Sequence, residues 1–317
     1  MLGERLVSGI SDITSNEGIL TRYTGICHLI RHRGLGLIQL KQLARIKLGI
    51  SSAHTIERHL MIIQKLGFLE NRGGIYILTG SGKALVEMAP AFDSQRKLSW
   101  EEKSLYFTTM FSSIVRWQLV TFLTAVGSEG VKVKKKIIED FFGTSYAQKL
   151  WSERIVRLNL KRLEKRGIPS FFSNKFGCME HWLRDLQLVE KRGASLCLTV
   201  GCKRVLPELQ CSQDLKTKIY RLASLAYEYE ASPLVYEENK NLFIATLREA
   251  HSKFKGEHDL GDIRAIVPYM CVKLLRSKII LEEHEFDDYV KKMWSEGLVR
   301  SVMLGRNGKP AYLVLSR

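Results

Sequence analysis

The sequence predicts a mainly α fold with short β-hairpins, an α+β chain built of three consecutive units. Three observations carry this. Helical apolar spacing dominates the 317 residues, and there are only six prolines and no low-complexity tract. Three times a helix gives way to a two-stranded hairpin, with glycine at the junction or in the turn. The first hairpin is also repeated: KLGFLENRGGIYILTGSGKAL (65–85) matches DLQLVEKRGASLCLTVGCKRVL (185–206). Internal similarity of that kind marks two copies of one module.

The first unit is the most regular. Leu40–Leu48 has helical spacing and stops at Gly49. Ser51 and Ser52 supply an N-cap for a helix running to about Leu66, whose Ile56, Leu60 and Ile63 form one apolar stripe. Gly67 ends it. Phe68–Glu70 and Ile75–Leu78 read as strands around the turn Asn71–Gly74, and Thr79-x-x-Gly82 opens a helix over Lys83–Met88. In the second unit one long helix is predicted over Trp100–Val126. Further helices follow over Val131–Phe142, Lys149–Lys165 and Ser173–Leu186, the last with Phe176, Met179, Leu183 and Leu186 inward. Leu188–Glu190 and Ala194–Val200 form a hairpin around Lys191–Gly193, and a helix follows over Cys202–Leu206. The third unit reads as helices over Lys216–Tyr229, Lys240–His251, Arg264–Ser277 and His284–Ser295. Strands Leu298–Leu304 and Ala311–Leu315 then flank an Asn-Gly turn.

A chain of this length suggests two or three domains at ~100–200 residues each; the boundaries fall at 1–92, 93–212 and 213–317. The 45% hydrophobic content is enough to build cores. Apolar runs are far shorter than the ~18 residues that mark a membrane span, and Met1–Ser15 has no signal-peptide pattern. A soluble cytoplasmic protein with no membrane partner is expected. The six cysteines are sparse and sit mostly in apolar stretches, which suits reduced, buried thiols. Cys178-x-x-His181 with Cys197 and Cys202 lacks the tight CxxC pair of a zinc site, so neither metal nor cofactor is expected.

Charge narrows the function. The formal net charge is +16 and the pI about 9.6, a balance that draws polyanions because neutralised phosphates release counterions. Residues 1–92 carry +5, residues 93–212 carry +9 and residues 213–317 carry +2. A ribosome-associated surface would also account for the excess.

The segments Leu40–Leu85, Ser173–Leu206 and Ile280–Leu315 resemble the winged helix-turn-helix superfamily. The resemblance implies three tandem winged helices in which the helix before each hairpin enters the major groove and the hairpin tip reaches phosphate. In the first unit it directs attention to Ser52, His54, Thr55, Arg58 and His59 on the helix face, read as solvent-facing, and to Arg72 at the tip. Short polar groups and one arginine suit base edges. In the second unit Ser173, Asn174 and Lys175 open the equivalent helix, Arg184 lies further along it, and Lys191 and Arg192 form the tip. Lys132, Lys134, Lys135 and Lys136 read as a phosphate-positioning cluster with no acid between them. Lys161, Arg162, Lys165 and Arg166 form a second basic patch. In the third unit Glu282, Glu283, Glu285, Asp287 and Asp288 open the equivalent helix and would repel phosphate. That face reads as a protein-contact surface, within the chain or towards a partner.

Catalytic signatures are weak. No GxxxxGK[ST] loop occurs, and His28 and His32 lack a third metal ligand nearby. Glu101-x-Lys103 fits the E-x-K of two-carboxylate nucleases but sits at a helix start. The echo running from LGFLENRGGIYILTGSGKAL through WEEKSLYFTTMFSSIVRWQLVTFL to LRDLQLVEKRGASLCLTVGCKRVL also resembles the recognition portion of FokI-type (type IIS) restriction endonucleases. That implies two subdomains on DNA, a third in protein contacts, and recognition without the cutting domain. The expected function is sequence-selective double-stranded DNA binding by a non-enzyme, either a transcription regulator or a recognition subunit. An RNA- or ribosome-associated protein, a winged-helix scaffold for protein partners and a metal-dependent nuclease are the alternatives.

Overall fold

The computed structural model describes residues 18–90, 96–113, 115–127, 130–145, 177, 179–211, 215–305 and 310–316. It is mainly helical with small antiparallel sheets. In chain order the elements of the first part are α1 (Ile19–Leu29), β1 (Leu35–Gly36), α2 (Leu37–Leu48), α3 (Ala53–Lys65), β2 (Leu69–Arg72), β3 (Ile75–Leu78) and α4 (Gly80–Met88). Then come α5 (Trp100–Phe111), α6 (Arg116–Val126), β4 (Lys132–Val133), α7 (Lys134–Gly143) and α8 (residues 179–185). They are followed by β5 (Val189–Arg192), β6 (Ser195–Leu198), α9 (Val200–Cys211) and α10 (Ile219–Ala226). The last part holds β7 (Ser232–Pro233), α11 (Tyr236–Phe254), β8 (Gly261–Asp262), α12 (Ile263–Arg276), β9 (Ile279–Ile280), α13 (Phe286–Ser295), β10 (Val299–Leu304) and β11 (Pro310–Leu315).

Local chemistry accounts for the first unit. The Ser52 hydroxyl accepts the Thr55 N–H at 3.3 Å and so starts α3. Gly67, at φ 85°, ends it in a Schellman pair: the Phe68 N–H reaches the Ile63 carbonyl at 3.1 Å and the Gly67 N–H reaches Gln64 at 3.0 Å. The following turn is two residues, Gly73 and Gly74, both at positive φ, so Asn71 and Arg72 belong to the strand and not the loop.

The same arrangement recurs twice more. A two-residue strand (β1, β4, β8) leads directly into a helix and pairs with the returning strand of the later hairpin, giving the sheet orders β1-β3-β2, β4-β6-β5 and β8-β11-β10. The helix ends before the hairpins are alike: Leu188 N–H to Leu183 at 2.8 Å with Gln187 to Arg184 at 2.9 Å, and Leu298 N–H to Met293 at 2.9 Å with Gly297 to Trp294 at 3.0 Å. Each hairpin is also tied back by a hydroxyl residue just after its second strand. Thr79, Thr199 and Ser316 donate their N–H groups to Phe68, Leu188 and Leu298 at 3.1, 3.1 and 3.0 Å. Their hydroxyls reach the carbonyls of Gly67, Leu188 and Gly297.

Several elements differ from the sequence expectation. α1 was not foreseen, although Ile19, Leu20, Tyr23, Ile26 and Cys27 are all buried at helical spacing. The long helix over Trp100–Val126 is two helices. The Ser113 hydroxyl donates to the Met110 carbonyl at 2.8 Å and accepts the Val115 N–H at 3.3 Å, which offers the backbone an alternative to the helix. Val131–Phe142 begins as a strand. The helix expected over Lys149–Lys165 and the tip of the third hairpin lie outside the described residues.

Two helices form the centre. α5 buries Glu101, Glu102, Ser104, Leu105, Tyr106, Phe107, Thr108, Met110 and Phe111, and α12 is buried along most of its length. Glu102 is wholly buried and fully satisfied. It accepts both Arg96 guanidinium nitrogens at 2.6 and 2.7 Å, the Thr24 hydroxyl at 3.0 Å and the Ser99 N–H at 2.9 Å. Tyr106 bonds Thr24 at 3.1 Å and donates to the Leu20 carbonyl at 3.0 Å. Units are joined by similar means. The Asp185 carboxylate, at the end of α8, accepts Gly18 and Leu20 N–H groups at 3.1 and 3.0 Å and so caps α1. Arg276 of α12 pairs with Glu101 of α5, and Lys83 of α4 with Asp262 at 2.8 Å. Gly80 allows α4 to lie on the Arg264 backbone, where a Cβ would collide with the carbonyl oxygen.

Removing one partner of a buried ion pair strands the other charge. Glu102→Ala is therefore expected to destabilise the chain by about 3–5 kcal/mol, read as a drop in the midpoint of urea unfolding. A variant that melts like the parent would show that the network carries no stability.

Candidate nucleic-acid interface

The opening turn of α3 presents an open polar face in the first unit. Ser52 and His54 are exposed, and Thr55 and Arg58 are half-exposed. Glu57 lies on the same helix and pairs with Lys41 at 2.6 Å, so the exposed surface is not purely basic. His59 must be removed from the candidates. It is wholly buried, with its ring 5.3 Å from Tyr23 in an edge-on contact. Burial and the nearby Arg22 charge push its imidazolium down to about 4. The pattern Ile56, His59, Leu60, Ile63 is i, i+3, i+4, i+7, which places His59 on the buried stripe; that spacing was available in the sequence.

The first two hairpins present their tips alike. Arg72 and Arg192 occupy equivalent strand positions, 120 residues apart, and both are exposed. Each is held by a glutamate two residues earlier on the same strand face, Glu70 at 2.7 Å and Glu190 at 3.3 Å. Lys191 is exposed beside Arg192. At Gly73, Gly74 and Gly193 a Cβ would meet nothing within 4 Å, so these tips project into open space.

In the second unit Ser173, Asn174 and Lys175 lie outside the described residues, as do Lys161, Arg162, Lys165 and Arg166. The lysine cluster is engaged by two acids, Asp140 one turn beyond it and the distant Glu180. Lys132 donates to the Ala125 carbonyl at 2.8 Å and to Asp140 at 2.9 Å, and Lys136 meets the same carboxylate at 3.1 Å. Together they hold the Asp140 carboxyl below its ordinary range. Lys134 lies 2.8 Å from Glu180, a buried carboxylate on α8. Arg184 is half-buried, 3.9 Å from the same group. Lys132, Lys134 and Lys136 are thus engaged inside the chain, and of the four lysines Lys135 alone is exposed and unpaired with a carboxylate among the described residues.

The acidic face expected in the third unit is also thinner. The buried Glu282 carboxylate turns inward and accepts the Tyr220 and Arg221 N–H groups at 3.1 and 2.8 Å, capping α10, and Tyr220 donates its hydroxyl to Glu283 at 3.1 Å. Burial raises the Glu282 carboxyl above its ordinary range. Asp287 and Asp288 remain exposed, whereas Glu285 is half-buried and its carboxylate accepts the Glu282 N–H at 2.9 Å.

Two clefts lie between the units. The larger, about 940 Å³, is bounded by the α1 start, residues Arg96–Lys103, α8 and the α9 start. Three of its charged groups serve docking: Arg96 on Glu102, Asp185 on α1, and Lys103 donating to Gln187 at 2.7 Å over the Tyr227 ring. Glu101 and Lys103 lie on helix α5 and not on paired strands, Glu101 paired with Arg276 and Lys103 with Gln187. Among the described residues no group of three or more His, Cys, Asp or Glu side chains could hold a metal ion, and no helix is long and apolar enough to cross a membrane. Cys202, one of the thiols weighed for zinc, is buried and its thiol is pushed up to about 12. Comparison of the chain with protein-family models, with curated proteins and with solved structures gives no match.

The buried His59 sets a pH dependence. Its imidazole is neutral when folded down to about pH 4, whereas an unfolded imidazole takes a proton from about pH 6.5. The unfolded state binds more protons in that window, so stability falls as pH drops from 6.5 to 4, by about 3 kcal/mol. His59→Phe is expected to flatten this part of a melting-temperature profile; an unchanged profile would place the titration elsewhere.

Proposed function

We propose that the chain is a sequence-selective double-stranded DNA-binding protein, that its three repeated units are winged helices, and that it binds DNA without transforming it. The observation that carries this reading is the recurrence of one strand–helix–helix–hairpin arrangement with an exposed basic tip at the same position in the first two units. A helix whose opening turn bears Ser52, His54, Thr55 and Arg58 suits base edges in a major groove, where arginine bonds guanine O6 and N7. Arg72, Lys191 and Arg192 suit phosphate, and for the arginines a phosphodiester would replace the glutamate that now holds them. The role is that of a transcription regulator or a recognition subunit. The third unit contributes by contact with protein: its α12 packs against α4 and α5 of the rest of the chain.

Anisotropy of a labelled 30-bp duplex across a sodium chloride series tests this directly. Log affinity is expected to fall linearly with log salt, at roughly 0.9 per phosphate neutralised. Single-stranded DNA and structured RNA are expected to bind more weakly; a preference for RNA, or a flat salt response, sinks the reading. Arg58→Gln should cost about 1–3 kcal/mol on the preferred site and little elsewhere, whereas Arg72→Gln should weaken all duplexes alike.

The paired glutamates make an opposite prediction. Glu70→Gln and Glu190→Gln leave the tip arginines without a competing carboxylate, so duplex affinity should rise and the salt slope steepen. Weaker binding by both variants would mean that the pairs instead hold the arginines in place for DNA.

A further inference from the structure

The smaller cleft, about 360 Å³, lies where the first hairpin meets the third unit. Its floor is the outer face of β2 and β3, on which the cross-strand pairs Glu70–Ile77 and Arg72–Ile75 lie together. One wall is the segment Arg31–Gly34 after α1. The other is Asp262 and Arg264, where β8 runs into α12, with Lys83 of α4 between them. The walls are held at fixed spacing. α4 touches the Arg264 backbone at Gly80, and a Cβ on Gly34 would lie 2.6 and 2.7 Å from the Ile75 and Ile77 side chains.

Its charge is unlike that of the larger cleft. Five permanent cations line it, Arg31, Arg33, Arg72, Lys83 and Arg264, against the two carboxylates Glu70 and Asp262. Glu87, which pairs with Arg31 from outside the lining, still leaves two positive charges in excess. The larger cleft has five cations and three carboxylates in its lining, and two of those cations, Arg96 and Arg184, face the buried carboxylates Glu102 and Glu180. Asp262 is the pivot of the small cleft. Burial alone would raise its carboxyl, but Arg264 at 3.1 Å and Lys83 at 2.8 Å outweigh burial and keep it ionised below its ordinary range. It thereby fixes two cations side by side. Arg33 and His32 are exposed on the opposite wall, and among the described residues neither is paired with a carboxylate. Guanidinium groups on facing walls suit an oxyanion that takes several hydrogen bonds at once, and a concave basic surface focuses the field on it.

We infer that this cleft is a phosphate-binding site, assembled from the first and third units. The chemistry is shared by a phosphodiester of a duplex backbone and a free phosphate. The duplex source rests on the DNA-binding reading above, and it gives the third unit, whose net charge is small, a direct hold on the flank of the bound DNA through Arg264.

Two arms test the site in the full chain. In the first, the ³¹P line of inorganic phosphate is followed as protein is added in a phosphate-free buffer. In the second, the salt slope of duplex binding is measured. Both use the parent, Arg33→Gln and Arg264→Gln, with melting temperatures recorded; Arg33→Gln removes an exposed side chain and is expected to melt like the parent. A salt slope smaller by about one in Arg33→Gln upholds the site with the DNA backbone as its source. A ³¹P line broadened by the parent and not by Arg33→Gln, with an unchanged slope, upholds it for free phosphate. An unbroadened line together with unchanged slopes in both variants overturns it. If the parent shows no salt-dependent duplex binding at all, the DNA reading falls, and the ³¹P arm alone decides the cleft.

Discussion

The buried Glu102 carboxylate is the interaction on which the remaining architecture depends. A charge taken wholly out of water is tolerated only when its lone pairs are met, and here four donors meet them from α1, from the segment before α5 and from the α5 cap. Those segments therefore have one arrangement that satisfies the charge. α1 is in turn capped by Asp185 from the second unit, and α5 is paired through Glu101 with Arg276 of the third. Caps and ion pairs run continuously from one unit to the next. The hairpins of the first two units are consequently presented by a preorganised frame, and binding would spare the ordering cost that a flexible tandem incurs.

The same accounting changes the meaning of the net charge. A formal +16 suggests a surface crowded with free cations. In the folded chain many of them meet acids: Arg72 and Arg192 on neighbouring glutamates, Lys132 and Lys136 on Asp140, Lys134 on Glu180. Among the described residues the cations outside these pairs include Lys191 at the second tip, Lys135 at the start of α7 and Arg33 in the small cleft beside the first hairpin. Exposed pairs such as Glu70–Arg72 are worth little in water, so the tips can exchange a carboxylate for a phosphate at small cost. The buried pairs cannot, which separates residues suited to contact from residues that hold the frame.

Legibility in the sequence followed the range of the interaction. The Ser52 cap, the Gly67 terminus, the paired turn glycines and the repeated hairpin are local and were readable. The two-residue strands β1, β4 and β8 were not, because each exists only through a partner 39 or more residues away. Lys134 looked like a solvated phosphate contact because its acid, Glu180, is 46 positions distant in sequence and on another helix. Arg33 and Arg264 line one cleft although they are far apart in sequence, which no local pattern shows. His59 is different: its helical spacing from Ile56 and Ile63 marked it as buried, and its polar side chain obscured that.

The central claim is that one rigid chain lays two equivalent basic tips on a single duplex. Photo-crosslinking tests it most directly, with p-benzoylphenylalanine in place of Arg72 or of Lys191 and a labelled duplex carrying the preferred site. The account predicts that each position crosslinks to the same duplex, at separate nucleotides, and that competing unlabelled duplex suppresses both. Crosslinks from neither position, or crosslinks that RNA suppresses and duplex does not, would contradict it.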